Sequence, residues 1–192
     1  MKPKEEIELS RKEYDALPDA EWYKDYFSEE TGGFIATHIH KERDDLRRPG
    51  IAAEVKACFV LAKQGKHIYR LPENIPKLID DLTIIGKPYR KLLKYKSGET
   101  NPRGYPDAYF EGKTWDFKTS SFKNDDSLRQ TIKDGRKADN LILLVHEVKH
   151  IEKIQRAIER EVGKRLADDS WTELPNIYCL LGDRLTAVWK KK

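Results

Sequence analysis

The sequence predicts an α/β fold with a mixed central sheet and flanking helices, on three observations. An amphipathic helical run from Pro49-Gly50 to Gly65 leads straight into the alternating segment His67 to Leu71. Two strand-like runs between Pro106 and Ser120 flank the dipeptide Glu111-Gly112. A continuous apolar run, Asn140 to Val145, lies between two helical stretches, as a buried strand would.

The elements follow in order. Residues 1–20 are charged and contain Pro3 and Pro18, which predicts an arm with one short helix. Glu21 to Phe27 places Trp22, Tyr23, Tyr26 and Phe27 at helical spacing, so an amphipathic helix is expected there. Gly32-Gly33 breaks it, and Phe34-Ile35-Ala36 reads as a short strand. In the next helix Ile51, Val55, Cys58, Phe59 and Ala62 recur at i, i+3/i+4 spacing. Leu78 to Ile85 reads as helix then strand, and Tyr89 to Tyr95 as either. Asp125-Asp126-Ser127 offers caps for a helix through about residue 137. A further helix is expected from His150 to about Leu166, then a closing hairpin from Ile177 to Leu181 and Leu185 to Trp189.

The 192 residues suit one ordinary domain. Residues 1–30 carry ten acidic and five basic side chains, whereas 31–192 carry 23 acidic and 32 basic. That contrast divides the chain into an acidic N-terminal arm and helix (1–30) and a single basic domain (31–192), and a basic body suits a phosphate-rich partner. No run approaches the roughly 18 apolar residues of a membrane span, so no membrane partner is expected. Nor does an apolar stretch follow Met1, which predicts folding in a cytoplasm. Cys58 and Cys179 sit in apolar runs without CxxC partners and read as buried thiols.

The chemistry concentrates in the hairpin. With Glu111-Gly112 as a two-residue turn, Phe110 faces Lys113 and Asp107 faces Asp116. Alternation then puts Lys118 on the Asp116 side and Trp115 and Phe117 on the other. Two opposed carboxylates destabilise a sheet unless a cation neutralises them. Mg²⁺, or another divalent cation such as Mn²⁺, is commonly held by one or two carboxylates. Lys118 is placed to orient or help deprotonate an attacking water, which makes phosphodiester hydrolysis the expected reaction. The plain alternative is a surface hairpin with Asp116 and Lys118 as an ion pair.

Other candidates surround this set. Glu54 interrupts an apolar helix and reads equally as a solvated flank or as a metal-completing acid. His38 and His40 form an HxH without a further Cys/His pair, so they read as surface histidines, at most touching phosphate or moving protons. Ser120, Arg129, Gln130, Lys133 and Lys137 offer hydroxyl, amide and cationic groups to nucleic-acid phosphates, although a solvated helix face explains each equally well.

Pro106-Asp107, eight further residues, Asp116-Phe117-Lys118 and the preceding helix bearing Glu54 resemble the PD-(D/E)XK nuclease superfamily. Within it, PDAYFEGKTWDFKTSS followed by a helix and KADNLILLV is similar to the C-terminal toxin nucleases of contact-dependent growth inhibition systems, several of which cleave tRNA. The resemblance covers about residues 33–147. It implies a restriction-endonuclease-like αβββαβ core and a metal supported by Glu54, Asp107 and Asp116, with Lys118 on the catalytic water. It also implies RNA in preference to DNA as substrate, and a cognate immunity protein as partner. Relatives often carry Gln where Lys137 stands. A DNA endonuclease of restriction or repair type and a catalytically silent nucleic-acid-binding module remain the alternatives.

Overall fold

The computed structural model describes residues 3–41, 47–72, 83–84, 86–88, 105–120, 122, 124–167 and 174–190. The chain is mixed α/β and forms two compact units, Met1–Thr114 and Trp115–Lys192. The expected helices and strands between 78 and 95 lie outside the described residues, except for Thr83–Ile84 (β4) and Lys87–Pro88 (β5), a small antiparallel pair.

In the first unit α1 is Lys4–Asp15, β1 Trp22–Phe27, β2 Phe34–His38, α2 Pro49–Lys63, β3 His67–Arg70 and β6 Ala108–Phe110. The strands run in the order β1-β2-β3-β6. β1 is antiparallel to β2, and β3 is antiparallel to β6. β2 and β3 are parallel, because α2 carries the chain back between them.

β1 corrects the helix expected at Glu21 to Phe27. A register shift between Lys24 and Tyr26 changes the parity of the strand. Trp22, opposite His38, and Phe27, opposite Phe34, therefore both reach the core formed by Tyr14, Phe34, Ala36, Tyr69 and Leu71. Spacing that looks helical is a bulged strand, which aromatic residues favour.

The N-terminal segment is tied into this unit. Tyr14 of α1 is buried against Phe27 and Phe34. Glu13 accepts a 2.5 Å hydrogen bond from the Tyr69 hydroxyl and pairs with His67 Nδ1 at 3.0 Å.

Glu111 (φ 50°) and Gly112 (φ 73°) form the two-residue turn after β6. Positive φ at both central positions is the type I′ geometry that suits a tight hairpin. β7, Lys113–Thr119, follows, and the boundary between the units falls inside it.

In the second unit the order is β7-β8-β9-β10, with α3 Asp125–Asp134, a 3₁₀ turn Gly135–Lys137, β8 Asn140–Val145, α4 Val148–Ala167, β9 Asn176–Leu181 and β10 Arg184–Trp189. β7, β8 and β9 are parallel, and β10 returns antiparallel as the expected hairpin. Asn124, not the aspartates after it, caps α3 by accepting the Ser127 N–H at 2.8 Å. Leu141, Leu143 and Val145 of β8 pack with Leu128 and Ile132 of α3 and Ile154, Ala157 and Ile158 of α4. β8 is buried along its whole length, as its unbroken apolar run requires.

Candidate active-site residues

In the first unit the acids gather around Glu54. Asp107 occupies the bend before β6, one residue outside the strand that the hairpin count assigned to it. Its carbonyl accepts the Leu71 N–H at 2.9 Å, and its side chain is buried. Glu54, near the middle of α2, accepts from Arg70 Nη2 at 2.9 Å and faces Lys41 Nζ at 3.4 Å. Burial pushes the Glu54 carboxyl upward, the negative charge of Asp107 adds to that, and Lys41 and Arg70 oppose it. Glu54 is therefore no solvated flank. It belongs to a buried group of two acids and two cations.

Lys41 and Arg70 are parts of this group that sequence reasoning missed. Arg70 does leave a trace, a cation in a strand of otherwise buried residues. Its Nη1 also approaches the Thr37 hydroxyl at 3.5 Å. Lys41 leaves none, since nothing local distinguishes it from the other lysines.

In the second unit Asp116 has a fully buried side chain. Lys118 Nζ stands 3.3 Å from its Oδ2, and Lys137 Nζ 2.9 Å from its Oδ1. Asp116 pairs in register with Leu141, and Lys118 with Leu143, so both share the face packed by α3 and α4. Lys118 is about one-third exposed, whereas the Lys137 side chain is 8% exposed. Lys137 is thus an ion-pair partner of Asp116, a contact the sequence did not suggest.

Arg129 and Lys133 also have an acidic partner within the protein. Arg129 Nη2 lies 3.3 Å and Lys133 Nζ 4.0 Å from the buried Glu161 carboxylate of α4. They join two helices, and Gln130 donates to Asp134 at 2.7 Å. The half-buried Ser120 turns its hydroxyl oxygen to the Phe122 N–H at 3.2 Å, which shapes the exit from β7.

The two histidines of the HxH part company: His40 is exposed, as expected, and His38 is not. His38 is 2% exposed, with the edge of its ring against Trp22. Its Nδ1 accepts the His40 N–H at 3.2 Å, which assigns the proton to Nε2, and that buried atom has no hydrogen-bond partner among the described residues. Burial and the neighbouring His40 lower its pKa to about 4. An Nδ1 acting as acceptor leaves Nε2 without a lone pair for a metal, so zinc binding by this histidine conflicts with the geometry.

A serine–histidine–glutamate chain also occurs in the first unit. Ser10 Oγ is 3.0 Å from His67 Nε2, and His67 Nδ1 is 3.0 Å from Glu13. Ser10 is a buried helix residue whose hydroxyl also donates to the Glu6 carbonyl at 2.9 Å, so the chain docks α1 and presents no attacking oxygen. Both cysteines are buried free thiols, pushed up to about 12 by burial, as expected of small hydrophobes. A surface pocket lined by Tyr26, Phe27, Ser28, Glu29, Glu30 and Lys63 contains none of the candidate residues.

Among the described residues no group of three or more His, Cys, Asp and Glu side chains is gathered at metal-binding distance. The donors that are present fit a hard divalent cation in kind. Asp107 is close enough to Glu54 for its charge to raise that carboxyl's proton affinity, and Asp116 is a buried carboxylate that requires positive charge. Among the same residues no helix is long and apolar enough to cross a membrane.

The residues and topology define a mixed α/β protein with buried, cation-paired carboxylates in each of its units. Compared with known proteins, the chain matches no family model, no curated protein and no solved structure.

Proposed function

We propose that the protein is a divalent-metal-dependent nuclease with a restriction-endonuclease-like core, acting on structured RNA such as tRNA. The observation that carries this reading is the buried Asp116 with the Lys118 ammonium 3.3 Å from its carboxylate, two residues further along one strand. The Pro106-Asp107 dipeptide ahead of the type I′ turn supports it, as does the acid pair of Glu54 and Asp107. So does the element order α2, β3, β6, β7, α3, β8, which reads αβββαβ once the short β4–β5 pair is set aside.

The resemblance assigns Mg²⁺ or Mn²⁺ to Glu54, Asp107 and Asp116. The bound ion would lower the pKa of a water and offset charge on the scissile phosphate. Lys118 orients the attacking water and stabilises negative charge as it forms. Arg70 and Lys41 keep Glu54 in place and offset its charge. A toxin role, with an immunity protein as the cognate partner, belongs to the same proposal and rests on the resemblance in residues 33–147.

The purified chain incubated with tRNA and with plasmid DNA, in Mg²⁺ or in EDTA, tests the proposal. Metal-dependent cleavage of tRNA that Lys118→Ala abolishes supports it, and cleavage of plasmid alone transfers it to a DNA endonuclease. If neither substrate is cut while Asp116→Ala still binds RNA normally, the chain is a binding module and the catalytic reading fails.

A further inference from the structure

Lys137 reaches Asp116 from a rigid place. It ends the 3₁₀ turn Gly135–Lys137, and Gly135 sits so close to β8 that an added Cβ would stand 2.7 Å from Leu141 Cδ2. Leu141 is the register neighbour of Asp116, so the backbone of the turn is fixed beside the acid. From there the Lys137 side chain, 8% exposed, places Nζ 2.9 Å from Oδ1, while the more exposed Lys118 takes Oδ2 at 3.3 Å. Each oxygen of one buried carboxylate thus faces an ammonium.

A buried carboxylate stripped of its partners is strongly unfavourable, so Asp116 needs positive charge whether or not a metal is bound. Lysine suits a replaceable partner. Its ammonium is a point charge on a flexible stem, unlike the rigid two-pronged arginine that holds Glu54.

We infer that Lys137 is a built-in counter-cation which competes with a divalent metal for Asp116, neutralising the acid before the ion arrives and setting how tightly the ion is held. The inference rests on Asp116 being a metal ligand. It concerns metal affinity and not the reaction itself.

Mn²⁺ affinity, read from the electron paramagnetic resonance signal of the free ion, tests it on the full chain. Thermal unfolding in EDTA and in Mn²⁺ gives a second readout. Wild type is compared with Lys137→Met, Lys137→Gln and the double variant Asp116→Asn/Lys137→Met. Removal of one adjacent positive charge should tighten Mn²⁺ binding by about tenfold or more in Lys137→Met. That variant should melt below wild type in EDTA and gain more from Mn²⁺ than wild type does. Lys137→Gln, whose amide still donates to Asp116, should fall between them, and it carries the comparison if Lys137→Met does not fold. The double variant should lose the gain. Equal or weaker binding in both Lys137 variants, with wild type binding normally, overturns the inference and leaves the metal reading intact. No binding by any of these proteins overturns both.

Discussion

His38 is a neutral imidazole held in an aromatic environment, and that has a measurable consequence for stability against pH. Its pKa is about 4 in the folded protein, against an ordinary value of 6.5. Between those values the unfolded chain holds a proton that the folded chain excludes, so stability falls as the pH falls from 6.5 to 4. Integrated over the two pKa values, the loss relative to neutral pH is about 2 kcal/mol at pH 5 and about 3 kcal/mol at pH 4. His38→Phe keeps a ring against Trp22, discards the unpartnered Nε2–H and removes the proton linkage. Urea unfolding followed by far-UV circular dichroism at pH 7, 6 and 5 should show the variant gaining on wild type at each step. Groups that titrate alike in both proteins cancel from that difference. A stability gap that stays constant within about 0.5 kcal/mol across the range would mean that His38 takes its proton in the folded state, and the assignment of a dry pocket would be wrong.

Other outcomes follow from the same geometry. Lys118→Ala should lower tRNA cleavage by roughly 10²- to 10⁴-fold, the usual worth of a positioned proton-handling group, while leaving the melting temperature near that of wild type because the lysine is partly exposed. Asn124→Ala should cost about 1 kcal/mol in chemical denaturation by uncapping α3, with no change in substrate affinity. Glu161→Gln should destabilise the second unit by about 1–3 kcal/mol, measured by thermal unfolding, because Arg129 and Lys133 lose their shared negative charge and one of its two acceptor oxygens. Cys58 and Cys179 should resist a disulfide thiol reagent at pH 8 and react only in denaturant, since burial holds both thiols up at about 12.

Local periodicity disclosed much of the architecture and little of the pairing. The α2 helix, the Glu111-Gly112 turn, β8 and the closing hairpin are each written in a few adjacent residues. Such signals survive because one helix face or one tight turn is decided by its own neighbourhood. β1 escaped because the bulge at its centre removes the two-residue period, leaving aromatic side chains at spacing that mimics a helix. The partners of the charged residues escaped for a different reason. Whether Arg129, Lys133 or Lys137 serves phosphate or protein depends on Glu161, 32 residues beyond Arg129, and on Asp116, 21 residues before Lys137. His38 likewise looks exposed in a polar stretch until β1 folds over it. The acids fared better, since a carboxylate inside an apolar helix or strand is conspicuous wherever its partner lies.

Three buried carboxylates share one electrostatic pattern, and the differences among them separate scaffold from chemistry. Glu54 has Lys41 and Arg70, Asp116 has Lys118 and Lys137, and Glu161 has Arg129 and Lys133. Two cations for one acid is therefore no signature of catalysis by itself, because the same pattern at Glu161 joins two helices. What sets Glu54 apart is a second acid, Asp107, acting on it so that its negative charge is not fully satisfied by its own cations. What sets Asp116 apart is its place on a strand, with Lys118 two residues further along the same face, whereas Glu161 and its cations lie on two helices. An acid pair is what a metal can use, and among the described contacts of Glu161 no second acid stands beside it, although Lys133 is as open to solvent as Lys118. Glu161 is the internal control for the nuclease reading. A substitution there should act on stability without touching metal affinity, whereas one at Asp116 should act on both.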